Sequence, residues 1–276
     1  MGHNLPAMRG LLIDLDGTLY HGTRRIDGAD ALLRKLKELK LPYRFVTNNS
    51  SATPGDVAER LNRMDIPAEK QDVCTSAQAA AEYAASLKPG ASVFVIGEAG
   101  LRAAIEEAGL RLTEEQPDFV IQGIDRELSY SRLSLAVRYI HGGAPFILTN
   151  PDLLLPSEGG LMPGAGSIGA MLQAAGGKEP IVIGKPSSIL MDYSLKQLGL
   201  PAADTWVIGD NLATDIAAGR ASGCGTLLVL TGLTTEKNYK HYSERAGCEP
   251  DKICRNLDEL ISYITETTDS CHRDSV

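Results

Sequence analysis

The chain has 276 residues, 43% of them hydrophobic, enough to bury the core of one large domain or two modest ones. Its 27 basic and 35 acidic side chains give a formal net charge of -8 without any block of like charge. Long-range attraction to nucleic acid or to an acidic membrane is therefore excluded as a mode of binding, and any anion must be held by a local site. No apolar stretch approaches the roughly 20 residues of a membrane span, and residues 1–9 lack the apolar core of a signal peptide. The five cysteines (Cys74, Cys224, Cys248, Cys254, Cys271) are odd in number and lack metal-ligand spacing, so reduced thiols in a cytoplasmic protein are expected.

The expected elements alternate in chain order. Residues 10–14 read as an apolar strand stopped by Asp16 and Gly17. Leu32, Leu33, Leu36 and Leu39 recur at helical spacing among lysines and predict a surface helix over residues 28–40, ended by Pro42. A strand over residues 43–47 is broken by Asn48 and Asn49. Thr53, Pro54 and Asp56 then supply an N-cap, a first-turn proline and an acid near the positive end of a helix reaching residue 64.

The next cycle opens with Thr75 or Ser76 capping an alanine-rich helix to residue 87, followed by a strand over 92–96 and a helix over 98–108 closed by Gly109. A strand over 119–122, a helix over 130–140, a strand over 146–149 and a helix over 166–175 come next. Strands over 181–183, 206–208 and 226–229 alternate with helices over 187–198 and 212–222, and a helix over 257–264 precedes a polar tail. Short apolar strands alternating with helices mean α/β with largely parallel sheets. The cluster Gly176, Gly177, Pro180, Gly184 and Pro186 marks one candidate junction.

The carboxylates fall where such sheets bind ligands, at or just past the carboxyl ends of strands: Asp14, Asp16, Asp210 and Asp215. Spacing of two puts Asp14 and Asp16 on one side of an extended segment, and Gly17 lets backbone N–H groups approach a ligand. Crowded carboxylates need a cation, and oxygen-only ligands with open positions suit Mg²⁺. Lys185 adds a positive charge after another apolar strand, and Thr47 adds a hydroxyl. Together they suit a phosphoryl group whose equatorial oxygens need positive partners. Any one of these aspartates read alone is a helix cap or a turn residue.

Four ordered motifs resemble the haloacid dehalogenase superfamily: residues 14–19 (Asp-Leu-Asp-Gly-Thr-Leu), 47–50 (Thr-Asn-Asn-Ser), 184–186 (Gly-Lys-Pro) and 209–216 (Gly-Asp-Asn-Leu-Ala-Thr-Asp-Ile). The long insert between the second and third, with Thr149-Asn150-Pro151-Asp152 and Pro163-Gly164-Ala165-Gly166 inside it, resembles the p-nitrophenyl-phosphatase-like branch related to NagD. The resemblance implies a doubly wound Rossmannoid core of residues 10–78 and 182–266, an α/β cap of the C2 type over 79–181, and a polar tail over 267–276. It implies a phosphatase in which Asp14 is the nucleophile and Asp16 the general acid and then base. Mg²⁺ would be held by Asp14, the Asp16 carbonyl and Asp210, with Asp215 and Asn211 around it. Gly17, Thr47, the Asn48 N–H and Lys185 would hold the phosphate. Asn150 and Asp152 are candidates near the leaving group, although a turn around Pro151 explains them equally.

The expected substrate is a small phosphorylated metabolite: a sugar phosphate, glycerol phosphate, pyridoxal phosphate or nucleoside monophosphate. Nucleic-acid and membrane partners are not expected, and dimerisation through the cap is a further implication of the resemblance. A phosphotransferase or mutase shares the same intermediate, and a non-catalytic phosphometabolite-binding protein is the third reading. His3, His21, His141, His241 and His272 are too dispersed for a zinc site. Residues 239–242 read as ordinary surface, a loop near the cap, with an oligomer contact as the alternative, and residues 164–169 as the start of a helix rather than a nucleotide cradle.

Overall fold

The structure, a computed structural model, describes residues 7–157 and 159–273. His3 and the last three residues of the expected tail lie outside them. The chain forms two compact units: one holds the chain up to Thr47, Val57–Cys74 and the chain from Met191 onward, the other Asn48–Asp56 and Thr75–Leu190.

The first unit is built on a six-stranded sheet in the order Lys252–Cys254, Gly225–Val229, Thr205–Gly209, Gly10–Ile13, Tyr43–Thr47, Val73–Thr75. Gly10–Ile13 runs parallel to both of its neighbours, with Ile13 opposite Ile208 on one side and Phe45 on the other. A strand covered on both faces must be apolar throughout, and all four of its residues are buried. The helix Ala29–Glu38 buries Ala29, Leu32, Leu33 and Leu36, the stripe that its 3.6-residue period predicts.

The second unit carries a parallel five-stranded sheet in the order Ile181–Val182, Phe146–Leu148, Phe119–Gln122, Ser92–Ile96, Arg111–Leu112. Phe94, Ile96, Val120, Phe146, Ile140 and Leu172 pack into one of its buried clusters. Two of its helices begin on side-chain caps. Thr75 Oγ1 accepts the Gln78 N–H while Gln78 Oε1 accepts the Thr75 N–H, and Ser129 Oγ accepts the Arg132 N–H.

Several elements differ from the sequence expectation. The closing helix runs Leu257–Arg273 rather than stopping at residue 264, so most of the expected polar tail is helical backbone. Leu257, Leu260, Ile264 and Thr268 continue one buried face, and the hydroxyls of Thr265 and Thr268 bond back to the carbonyls of Ile261 and Ile264. The expected loop over 239–242 is the first turn of a helix, Tyr239–Ala246. Its Tyr239 and Tyr242 lean on the buried trio Leu212, Ile216 and Leu228. The helix expected over 212–222 is a π-helical turn, Leu212–Ile216, followed by Ala217–Ala221. Two hairpins, Tyr20–His21 with Arg24–Arg25 and Leu154–Ser157 with Gly160–Pro163, and the short strands Val73–Thr75, Arg111–Leu112 and Lys252–Cys254 had no counterpart in the reading.

Asp118 pins the start of the second sheet. Its carboxylate accepts the Ser92 N–H and hydroxyl at 2.8 and 2.9 Å and pairs with Lys88 at 2.6 Å. The Lys88 ammonium first, and then the Ser92 N–H, hold the Asp118 carboxyl down to about 2. A depressed carboxyl stabilises the fold above its unfolded value and loses that contribution as pH falls through the folded one. Asp118→Asn is therefore expected to lower the urea midpoint at neutral pH, and the gap from wild type to narrow as pH drops from about 5 to about 3. A gap independent of pH would contradict this.

Candidate active site

The first strand ends at Ile13, and the Asp14 N–H continues the ladder by donating to the Ile208 carbonyl at 2.8 Å. The Asp14 side chain thus stands at the carboxyl edge of the sheet, beside the ends of the strands that lead to Asp210 and Thr47. One oxygen each from Asp14, Asp210 and Asp215 lies within 4.8 Å of the other two. Asp210 and Asp215 are buried, at 5% and 1% exposure, so two of these charges are drawn deep into the protein.

Backbone donors and small residues fix these carboxylates. The Leu233 N–H donates to Asp210 Oδ2 at 2.6 Å, and the Asn211 N–H donates to Asp215 Oδ2 at 3.1 Å. Thr18 Oγ1 donates to Asp14 Oδ2 at 3.1 Å. Gly17 adopts φ +87°, and a Cβ there would run into the Asp210 carboxylate, as would one at Gly232. At Gly209 a Cβ would strike Asp215. The Thr231 hydroxyl donates to the Gly17 carbonyl at 2.8 Å, and His21 Nε2 donates to the Thr231 carbonyl at 2.7 Å. Two loops of the same unit are thereby fastened around Asp210.

Asp16 keeps an exposed edge, yet the protein packed around its carboxyl is the largest influence on it and raises its pKa. The charge of Asp14 adds to the rise, while Arg60, His21 and the Gly22 N–H oppose it. Arg60 is held in place by donating to the Gly22 carbonyl at 2.8 Å and by lying 4.9 Å over the Tyr20 ring. A carboxyl biased toward its protonated form suits proton donation.

The second unit gathers its own polar cluster from the expected residues Asn48, Asn150, Asp152 and Lys185. The Asn48 amide bonds to the Lys185 backbone and to the Asp152 carboxylate, and the Asn48 carbonyl accepts from Asn150 Nδ2 at 2.8 Å. Lys185 is 3% exposed, a buried cation.

Two family models match the chain: haloacid dehalogenase-like hydrolase over residues 11–111 and HAD-hydrolase-like over residues 182–260. The chain is 46% identical over 260 residues to the 5'-nucleotidase YutF of Bacillus subtilis (strain 168), spanning 94% of this chain and 100% of the relative. It is 42% identical over 261 residues to the acid sugar phosphatase of Staphylococcus aureus (strain USA300), spanning 94% and 99%. The solved structure of glycerol phosphate phosphatase from Mycobacterium tuberculosis in complex with magnesium matches with a TM-score of 0.84 at 37% identity, over 92% of this chain and 77% of that one.

This chain belongs to the haloacid dehalogenase-like hydrolases. In this dehalogenase-like chain the expected residues Asp14, Asp16, Gly17, Thr47, Asp210, Asn211 and Asp215 all fall in the first unit, and Asn48, Asn150, Asp152 and Lys185 in the second. The converging carboxylates are those of Asp14, Asp210 and Asp215; the expectation for Asp16 concerns its backbone carbonyl, not its carboxylate. Asn211 caps the turn that carries Asp215, its Oδ1 accepting the Ala213 N–H at 2.9 Å. Three converging oxygen donors, two of them buried, fit a hard divalent ion such as Mg²⁺. The sequence reading gave no role to Thr18, Arg60, Thr231 or the Leu233 N–H. Thr18 lies inside the first motif and Gly232 in a Thr-Gly pair after an apolar strand, the signals that were available.

Gly17→Ala tests the grip on Asp210 against a control, Gly223→Ala, whose φ is +76° but whose Cβ would meet nothing within 4 Å. Both substitutions are expected to cost about 1–2 kcal/mol from the left-handed backbone. Only Gly17→Ala should also lose more than about tenfold in kcat, because its methyl displaces a carboxylate. Equal activity in the two variants would contradict the geometry.

Proposed function

We propose that the protein is a Mg²⁺-dependent phosphomonoester hydrolase acting on a small phosphorylated metabolite through a covalent aspartyl-phosphate. The observation that carries this reading is the convergence of Asp14, Asp210 and Asp215 at the edge of the parallel sheet, two residues from a carboxyl whose pKa is raised. Family membership and the relatives, a nucleotidase and a sugar phosphatase among them, support the same reaction class.

Asp14 attacks phosphorus through one carboxylate oxygen, the bond from phosphorus to the ester oxygen breaks, and Asp16 gives its proton to the departing alkoxide. Asp16, now a carboxylate, takes a proton from water as that water attacks the acyl phosphate, restoring Asp14 and releasing inorganic phosphate. The Thr47 hydroxyl, the N–H groups of Gly17 and Asn48, and the Lys185 ammonium bind the phosphoryl oxygens. Mg²⁺ held by Asp14, Asp210 and the Asp16 carbonyl, with Asp215 and Asn211 ordering its surroundings, would supply the positive charge that lets a dianionic phosphate approach a carboxylate. Residues 79–181 serve as the cap, with Asn150 and Asp152 its candidates near the leaving group, and the cap as the route to a homodimer. Cytoplasmic location belongs with this reading; no helix among the described residues is long and apolar enough to cross a membrane.

The relatives named above bear three different substrate names, and the choice of substrate class in this chain is assigned to contacts outside Asp14, Asp210 and Asp215. Sugar phosphates, glycerol phosphates, pyridoxal phosphate and nucleoside monophosphates form the panel to assay, with p-nitrophenyl phosphate as reference. Phosphate release is expected with Mg²⁺, is expected to vanish in EDTA and return on adding Mg²⁺, and should fall about a thousandfold or more in folded Asp14→Asn. Undiminished release by Asp14→Asn would refute the mechanism. Quantitative appearance of the phosphoryl group on a second metabolite would turn the reading to phosphotransfer.

A further inference from the structure

The side chain of Asn48 is engaged by protein at both its oxygen and its nitrogen. Its Oδ1 accepts the Lys185 N–H at 2.8 Å, and its Nδ2 donates to the Lys185 carbonyl at 3.1 Å. An amide that pairs with both the N–H and the C=O of one residue fixes that residue as a strand partner does, which sets the direction of its Cα–Cβ bond. The remaining Nδ2 proton goes to the Asp152 carboxylate, at 3.2 and 3.4 Å from its two oxygens. With one acceptor and two donors spent, the side chain has little left for a substrate.

The surroundings hold this clip in place. The Asn48 carbonyl accepts from Asn150 Nδ2 at 2.8 Å and from Ser76 Oγ at 2.7 Å. Gly184 must lack a side chain, because a Cβ there would come within 2.6 Å of Asn48 Oδ1 and 2.7 Å of the Thr149 carbonyl. Lys185 is 3% exposed, so its four-carbon stem runs through protein and a small turn at its backbone moves the ammonium at the far end.

From this geometry we infer that Asn48 is a positioning residue: its side chain aims Lys185 and holds Asp152 in register with it, and does not itself contact the substrate. The inference deepens the proposed function and rests on it only for the role of Lys185. It gives the side chain a task separate from that of the Asn48 N–H, and it makes Asp152 part of the support for the lysine.

A double-mutant cycle on the full-length protein tests it. Asn48→Leu keeps the shape and removes all three side-chain bonds; Lys185→Met removes the ammonium. Each alone is expected to lower kcat for p-nitrophenyl phosphate by about a hundredfold, with KM little changed in Asn48→Leu. The double variant should lie within about twofold of Lys185→Met, since a misaimed lysine cannot be lost twice. Circular dichroism and Tm establish that each variant is folded. Should Asn48→Leu fail to fold, Asn48→Ala, which removes the same bonds and adds no charge, enters the same cycle with the same expectation. Losses that multiply, or full activity in the Asn48 variant, would overturn the inference while a damaged Lys185→Met left the phosphatase reading standing. Full activity in Lys185→Met would instead refute the role of the lysine, and the inference with it.

Discussion

Three carboxylate oxygens within 4.8 Å of one another are an arrangement that must be held together. At that separation two full negative charges repel by about 3.5 kcal/mol at an effective dielectric of about 20. Part of the answer lies in backbone N–H groups aimed at the oxygens, from Leu233 to Asp210 and from Asn211 to Asp215. Part lies in glycine, because Gly17, Gly209 and Gly232 stand where any side chain would collide with a carboxylate. The rest of the first unit follows from this demand. A parallel sheet ends its strands at one edge, so residues far apart in the chain arrive there together. The buried strand Gly10–Ile13 gives the nucleophile proposed here a rigid support.

The second unit solves a related problem with opposite charge. Lys185 is buried, and its backbone is held by an amide rather than by a ladder strand. Thr47 ends the strand Tyr43–Thr47 and Asn48 follows it directly, so these two neighbours divide between a hydroxyl expected to meet phosphate and an amide that organises other protein groups. A short polar run can therefore serve substrate and scaffold by turns.

How much of this was legible in the sequence depended on what signals each feature leaves. Buried parallel strands leave apolar runs, so the strands Gly10–Ile13, Ser92–Ile96 and Phe119–Gln122 were plain. Capped helices leave Thr or Ser at a fixed offset, as at Thr75; Ser129 carries the same signal and went unread. The acids at strand ends were visible because carboxylates there are costly without a purpose. The short strands Val73–Thr75, Arg111–Leu112 and Lys252–Cys254 went unread, and the threonine-rich end of Leu257–Arg273 looked like a tail until its hydroxyls were seen bonded to the preceding turn. The Leu233 donor was invisible in principle, since every residue but proline has an N–H. Arg60 was missed for another reason: its link to Asp16 is spatial and passes through Gly22.

The claim on which the account turns is that Asp14 becomes covalently phosphorylated. Its most direct test is a rapid acid quench during turnover of a phosphorus-labelled monoester, followed by proteolysis and mass spectrometry of the labelled peptide. The account predicts an acid-stable, alkali-labile phosphoryl group on the peptide containing Asp14, forming as fast as the leaving alcohol is released. Turnover at full rate with no label on that peptide at any time would mean that water attacks phosphorus directly, and would contradict it.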